Sequence, residues 1–165
     1  MENSLGQYSF FVSQLDSSTL CKRFLQSLVK KGNKKIAQKI LLKTIFLLQK
    51  MQPLVSKDVI LAKALKNIQP MFEFKKARVG GMTQHIPGAK KLESQENLAI
   101  RWILESAREK HQKTKLIKTQ QYSFEYFLAQ EIFLAYTNES ELKQKKLEIH
   151  KLAETNRALA YQRWW

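Results

Sequence analysis

Hydrophobic positions recur at helical spacing over most of the chain. Leu20, Phe24, Leu25 and Leu28, flanked by Cys21, form one apolar stripe and predict a first helix over Ser17–Lys31. Gly32 stands where a helix commonly stops. A second helix is predicted over Asn33–Lys50, with Ile36, Ile40, Leu47, Leu48 and Met51 on or near one face, and Pro53 breaks the chain after it. Ser56 is placed to cap a third helix, which ends before Pro70 and turns Leu61, Leu65 and Ile68 inward. The period then changes. Phe72–Val79 partly alternates, Gly80-Gly81 follows, and Met82–Ile86 runs extended until Pro87 and Gly88 end it. This predicts a β-hairpin arm over about 71–87. Two strands do not make a stable sheet alone, so the arm must lean on the helices or project from them.

A fourth helix is predicted over Glu93–Lys110, with Leu98, Ala99, Trp102, Ile103 and Ala107 on one face. The polar, Lys-rich stretch His111–Thr119 reads as a linker. A fifth helix follows over Ser123–Tyr136, its inner face lined by Phe124, Phe127, Leu128, Ile132 and Ala135. Thr137–Ser140 turn the chain into a sixth helix, Glu141–Ala160, which leaves a short tail, Tyr161–Trp165. No internal repeat is present. Residues 1–16 read as a polar-aromatic lead-in, and 17–165 as a single domain. The expected fold is mainly α: a six-helix, bundle-like domain with a hairpin arm protruding between the third and fourth helices.

Charge changes this picture from a generic bundle to a polyanion binder. The chain has 165 residues, with 29 Lys+Arg against 14 Asp+Glu, a net charge of +15, yet 44% of it is apolar. It is therefore no disordered basic tail. Residues 17–57 hold ten basic residues and no acid. On the second helix Lys35, Lys39 and Lys43 step by four and Lys50 follows by seven, one stripe of like charge. A solvated face usually mixes signs; this one lacks counter-charges, which favours a polyanion over plain solvation. A second cluster, Lys75, Lys76 and Arg78, lies on the hairpin, with Lys90 and Lys91 just after it. A third runs from Arg101 and Arg108 through Lys110, Lys113, Lys115 and Lys118. On the last helix Lys143, His150 and Arg157 are seven apart. Residues 119–142 hold four acids and no base, so the fifth helix is read as a nonbasic side turned away from the polyanion. On that reading Glu125 and Glu131 face solvent or protein, and their reversal to Lys leaves nucleic-acid affinity within a few-fold. The Lys-dominated clusters predict phosphate contact without base reading, and recognition of folded RNA by shape.

Catalytic chemistry finds no foothold. There is no Gly-rich phosphate loop, HExxH, CxxC or Ser-centred elbow. Glu105 and Glu109 are four apart, but Glu105 is better placed to pair with Arg101 or Arg108. Cys21, the only cysteine, reads as a small buried residue, and Trp102 as core. His85, His111 and His150 are scattered. No catalytic residue, metal, cofactor or small-molecule substrate is expected, and no run of eighteen apolar residues would span a membrane.

Five ordered segments resemble one family. They are Leu28-Val29-Lys30-Lys31-Gly32-Asn33-Lys34-Lys35; Ala64-Leu65-Lys66-Asn67-Ile68-Gln69-Pro70 running into a strand; Arg78-Val79-Gly80-Gly81 with Pro87 six residues on; Leu98–Ala107 within Ser94–Ala107; and His150–Ala160, followed by Arg163-Trp164-Trp165. Together they resemble the small-subunit ribosomal protein seven family from about residue 17 to the C-terminus. The resemblance implies a primary binder of small-subunit rRNA that organises the subunit head, the 3′ major domain. It implies rRNA contacts from Lys22, Lys30, Lys31, Lys34, Lys35, Lys39, Lys43, Arg101, Arg108, Lys113, Lys115, His150, Arg157 and Arg163. The hairpin, through Lys75, Lys76, Arg78, Gly80 and Gly81, would reach the exit-site tRNA and a platform protein, and other head proteins would be neighbours.

Three features depart from bacterial members. Residues 1–16 carry no base where bacteria have an arginine-rich arm. The Gly-Lys-basic loop reads Gly32-Asn33-Lys34-Lys35. The stretch from Arg108 to Tyr122 is longer and, like the double Trp end, resembles mitochondrial members. Residues favoured by AT-rich codons (Phe, Tyr, Met, Ile, Asn, Lys) number 58 against 26 Gly, Ala, Arg and Pro, and Lys outnumbers Arg 23 to 6. With no presequence-like N-terminus, these point to a mitochondrially encoded protein of the mitochondrial ribosome, working in the matrix. A free-standing RNA-binding or ribosome-assembly protein is the alternative. A DNA-binding helix-turn-helix protein ranks third, because no recognition helix with base-reading Asn, Gln or Arg stands out.

Overall fold

The computed structural model describes residues 19–79, 81–117 and 122–162. Within them lie α1 (Thr19–Leu28), α2 (Lys34–Met51), α3 (Lys57–Ile68), β1 (Phe72–Val79), β2 (Met82–Ala89), α4 (Leu92–Ile117), α5 (Phe124–Thr137) and α6 (Glu141–Thr155), then a 3₁₀ turn, Arg157–Gln162. The six helices and the single antiparallel hairpin between α3 and α4 are the expected architecture. The lead-in and the Trp164-Trp165 end lie outside the described residues.

The core is organised around α5. This helix packs against α2, α3 and α4. Phe127, Leu128, Ala129, Ile132 and Ala135 are all buried, more than one face of it. A helix that is apolar nearly all round must be enclosed, and three neighbours enclose it. Phe24, Leu41, Leu48, Leu61, Leu65, Ile100 and Ile103 join it in one continuous core. Each fully buried Leu, Ile or Phe contributes on the order of 1.5–3 kcal/mol.

Helix ends are closed across the core. Ser140 caps α6, its Oγ accepting from the Leu142 N–H at 3.2 Å. Asn138, at φ 68°, ends α5 in the left-handed region, and the Glu139 N–H reaches back to the Leu134 carbonyl at 2.9 Å. The Asn67 amide donates to the Ala135 and Tyr136 carbonyls at 2.9 and 3.3 Å, and Lys146 Nζ donates to the Asn67 carbonyl at 3.0 Å. Ser56 occupies the N-cap position of α3 but its side chain makes no cap hydrogen bond.

Four expectations need correction. First, α4 does not stop near Lys110; it continues to Ile117, so most of the expected linker is helix. No Gly or Pro interrupts 111–117, and its lysines suit a helix C-terminus, where the peptide dipoles favour cations. Second, β2 runs through Pro87 and Gly88 to Ala89. Phe74 pairs with Pro87, and a further bond from the Lys90 N–H to the Met71 carbonyl (3.0 Å) sets the phase of the ladder. Alternation then puts Phe74–Pro87 at a non-hydrogen-bonded pair, where proline's missing N–H costs nothing. Third, α1 ends at Leu28 and α6 at Thr155, the latter tightening into the 3₁₀ turn. Fourth, Ile36 is 58% exposed; the buried face of α2 is Ala37, Leu41, Thr44, Ile45 and Leu48.

The base of the arm is fixed and its distal half projects. Ile86 and Pro87 are buried, and β2 packs on the 3₁₀ turn while β1 touches α6. Lys75, Lys76, Arg78, Met82 and Thr83 are exposed. At about 3.3 Å per residue, eight residues of β1 extend roughly 25 Å.

Candidate nucleic-acid interface

The junction of α1 and α2 concentrates cations where a helix least tolerates them. Lys30, Lys31, Lys34 and Lys35 are all exposed. Lys31 (φ 51°) and Gly32 (φ 76°) take the left-handed turn that joins the helices. Space around Gly32 is open, so a side chain there would be opposed by the backbone conformation and not by a neighbour. α2 has no acid in its first turn and Asn33 gives it no side-chain cap. Two lysines at the positive end of a helix dipole raise the local potential, and an external anion relieves it.

Along α2, Lys35, Lys39, Lys43 and Lys50 are exposed as expected. Lys43 shares its charge with Glu125 at 3.5 Å. Among the described residues no carboxylate pairs with Lys22, Lys30, Lys31, Lys34, Lys35, Lys39 or Lys50. On α4, Arg101, Lys113 and Lys115 are exposed and Arg108 is half-buried. Glu105 pairs with neither Arg101 nor Arg108; Glu93 and Glu96 near the start of α4 instead hold Arg23 of α1.

Two clefts flank the base of the arm. One, of about 470 Å³, brings Lys75 and Arg101 together with Lys90, Lys91, Ser94 and Asn97. Its one carboxylate, Glu73, is taken by Lys90 at 2.7 Å. Lys90 and Lys91 were visible in the sequence as neighbours of the hairpin, but the extension of β2 is what carries them to Arg101. The other cleft, of about 500 Å³, is lined by Phe72, Pro87, His150 and Arg157 among others. His150 Nε2 accepts the Met71 N–H at 3.2 Å, and its ring meets Phe72 edge-on at 5.6 Å. Partial burial, reinforced by Lys146, holds the imidazole below its ordinary pKa, in keeping with an acceptor nitrogen. His150 thus fastens the arm in addition to any contact outside. Of the hairpin turn, Gly81 takes φ 84°, as a tight turn requires, while Gly80 and Arg163 lie outside the described residues.

The acids of α5 do not form an outer nonbasic side. Glu131 is 1% exposed. Lys110 Nζ stands 2.5 Å from its Oε1 in an ionic contact off the hydrogen-bond direction, and Ser106 donates to Oε2 at 2.9 Å. Glu125 is half-buried. Partial burial raises its pKa, but its own N–H, the Ser123 hydroxyl and Lys43 outweigh that and hold it below the ordinary 4.5. Both acids face protein, and because α5 is the core helix, reversing Glu131 to Lys attacks the fold itself. Among the described residues, no group of three His, Cys, Asp or Glu is placed to hold a metal ion and no helix is long and apolar enough to cross a membrane.

The sequence is similar to known proteins along most of its length. Small ribosomal subunit protein uS7 of Blochmanniella floridana is 34% identical over 147 residues, covering 89% of this chain and 88% of that protein. Its counterpart in Shewanella amazonensis is 30% identical over 162 residues, 97% and 96% of the two chains. That of Geotalea uraniireducens is 41% identical over 105 residues, 64% and 62%. The family described as Ribosomal protein S7p/S5e matches residues 7–157. With nearly the whole length matched, the chain belongs to the ribosomal protein S7p/S5e family.

Proposed function

We propose that the chain is a structural constituent of the small ribosomal subunit, not an enzyme, and that it binds small-subunit rRNA and organises the subunit head. The observation that carries this is the row of exposed lysines on α1, α2 and their junction, of which, among the described residues, only Lys43 has a carboxylate partner, on a chain of this family. Residues 17–165 work as one ribosomal domain. Lys22, Lys30, Lys31, Lys34, Lys35, Lys39, Arg101, Lys113 and Lys115 contact backbone phosphates, Lys43 (shared with Glu125) and half-buried Arg108 contribute in part, His150 and Arg157 extend the surface past the arm, and Arg163 is a further rRNA contact. The projecting arm, with Lys75, Lys76, Arg78 and the Gly80-Gly81 turn, reaches the exit-site tRNA and a platform protein. Residue usage and the long basic end of α4 favour a mitochondrial ribosome.

The test is binding of the chain to a head-domain rRNA fragment across a salt series. Affinity falls with a slope of roughly 0.7–0.9 per phosphate neutralised, and Lys34→Gln with Lys35→Gln lowers the slope by about two. Salt-independent affinity would refute the reading. Retention on small subunits through a high-salt wash separates a permanent constituent from an assembly protein, and its peptides in purified mitochondrial small subunits test the location.

A further inference from the structure

The stripe of lysines on α2 is not purely charged. At about 100° per residue, Lys35, Ile36, Lys39, Lys43, Phe46 and Lys50 fall within an arc of about 100°. Phe46 is 68% exposed and Ile36 is 58% exposed. Neither packs against the continuous core, and Phe46 has no aromatic partner among the described residues. A lone exposed apolar residue needs no explanation. This phenylalanine differs in its setting. Lys43 and Lys50 stand one turn away on either side, about 5–6 Å along the helix. α2 carries no acid, and among the described residues only Glu125 of α5 approaches the stripe, at Lys43. An apolar protein partner would have to bury unpaired ammonium groups. A nucleic acid strand supplies phosphates to the lysines and a π-face to the ring at once.

We propose that Phe46 is a stacking platform for an unpaired base of the bound RNA, held there while Lys39, Lys43 and Lys50 neutralise the flanking phosphates. This rests on the rRNA reading above and adds a contact to a base plane where lysines alone give only backbone contact. Stacking tolerates any base, so the contact selects an unpaired nucleotide and not a sequence.

Two measurements test it. A photoreactive phenylalanine analogue at position 46, irradiated in assembled small subunits, gives a ribonuclease-sensitive adduct with rRNA. An adduct with a neighbouring protein, or none, overturns the proposal. With the head-domain rRNA fragment, Phe46→Leu lowers affinity about five- to 150-fold, the range of a single base–aromatic stack, and leaves the salt slope unchanged. Phe46→Trp binds at least as tightly as the unsubstituted chain. Because the side chain is exposed, thermal unfolding of both variants matches that of the parent. If the parent binds with a steep salt slope and Phe46→Leu binds equally well, this inference alone fails. If the parent shows no salt-dependent binding, the rRNA reading fails with it.

Discussion

Glu131 is the buried acid through which the enclosure of α5 can be tested. It lies 1% exposed on the helix that touches three others, with Lys110 at 2.5 Å and the Ser106 hydroxyl at 2.9 Å. Breaking a buried ion pair by removing one partner costs about 3–5 kcal/mol. Lys110 is 32% exposed, so its ammonium group can turn to water, and Glu131→Gln falls nearer 2–3 kcal/mol. At an m-value of about 1–3 kcal/mol/M, this lowers the urea midpoint by roughly 1–2 M. Glu131→Lys is worse, since it removes the acceptor of Ser106 and sets a second cation against Lys110. A loss of about 5 kcal/mol approaches the whole stability of a small domain, so cooperative unfolding disappears. Glu131→Leu discriminates between lost charge and lost packing. It removes the buried ion and keeps the volume but leaves Ser106 and Lys110 unpaired, so alone it costs at least as much as Glu131→Gln, and Lys110→Met beside it recovers part of the loss. Equilibrium urea unfolding of the four variants reads this order directly. If Glu131→Lys unfolds at the parent's midpoint, the pair is not buried in solution and the account of α5 as an enclosed helix is wrong.

Other consequences follow from the same contacts. Asn67→Ala leaves the Ala135 and Tyr136 carbonyls without their donor and should cost about 1–3 kcal/mol by chemical unfolding, more than any exposed Lys→Gln change on α2. Below pH 6.5 the unfolded chain takes up a proton at His150 before the folded chain does. The contribution of the Met71–His150 bond is therefore whole above pH 6.5 and is lost as pH falls through the depressed folded pKa. Hydrogen exchange at the Met71 amide should accelerate there beyond its intrinsic pH dependence, and His150→Phe should abolish the extra change. Deleting Lys76–Gln84 leaves Ile86 and Pro87 in place, so folding and rRNA affinity persist while translation by assembled subunits is impaired; failure to fold or to enter the subunit would make the arm part of the core.

Much of the fold was legible because periodicity and chain breakers coincide. Gly32, Pro53 and Pro70 separate three apolar stripes, and the diglycine divides two extended runs. What was not legible depends on tertiary context. The last two turns of α4 bury little, so polarity read as a linker when it only marked a solvated helix. Pro87 reads as a strand end until the register shows its ring at a pair that needs no donor. Glu131 reads as surface because acids usually are; its partners are 21 and 25 residues away on α4. Ile36 reads as core for the opposite reason. The basic surface was the most legible part of the site, since unpaired charge is visible from composition alone, whereas the gathering of Lys90 and Lys91 beside Arg101 required the longer β2.

The fastening of the arm also sets an order of events during synthesis. The hairpin is complete once residue 89 has emerged, but the Met71 N–H waits for His150, 79 residues later, and β2 waits for the 3₁₀ turn at 157–162. Two strands have little stability before that docking. A nascent chain therefore carries a loose, unpaired strand edge while at least 61 further residues, from 90 to 150, are added, the state in which chaperones and wrong partners act. Its geometry arrives with His150 and the 157–162 turn. Termination between α5 and α6 would yield a chain with its core helix and most of its lysines but no fixed arm. The distance in sequence between the two halves of this clasp thus makes arm presentation a check that translation has passed residue 150 and the 157–162 turn.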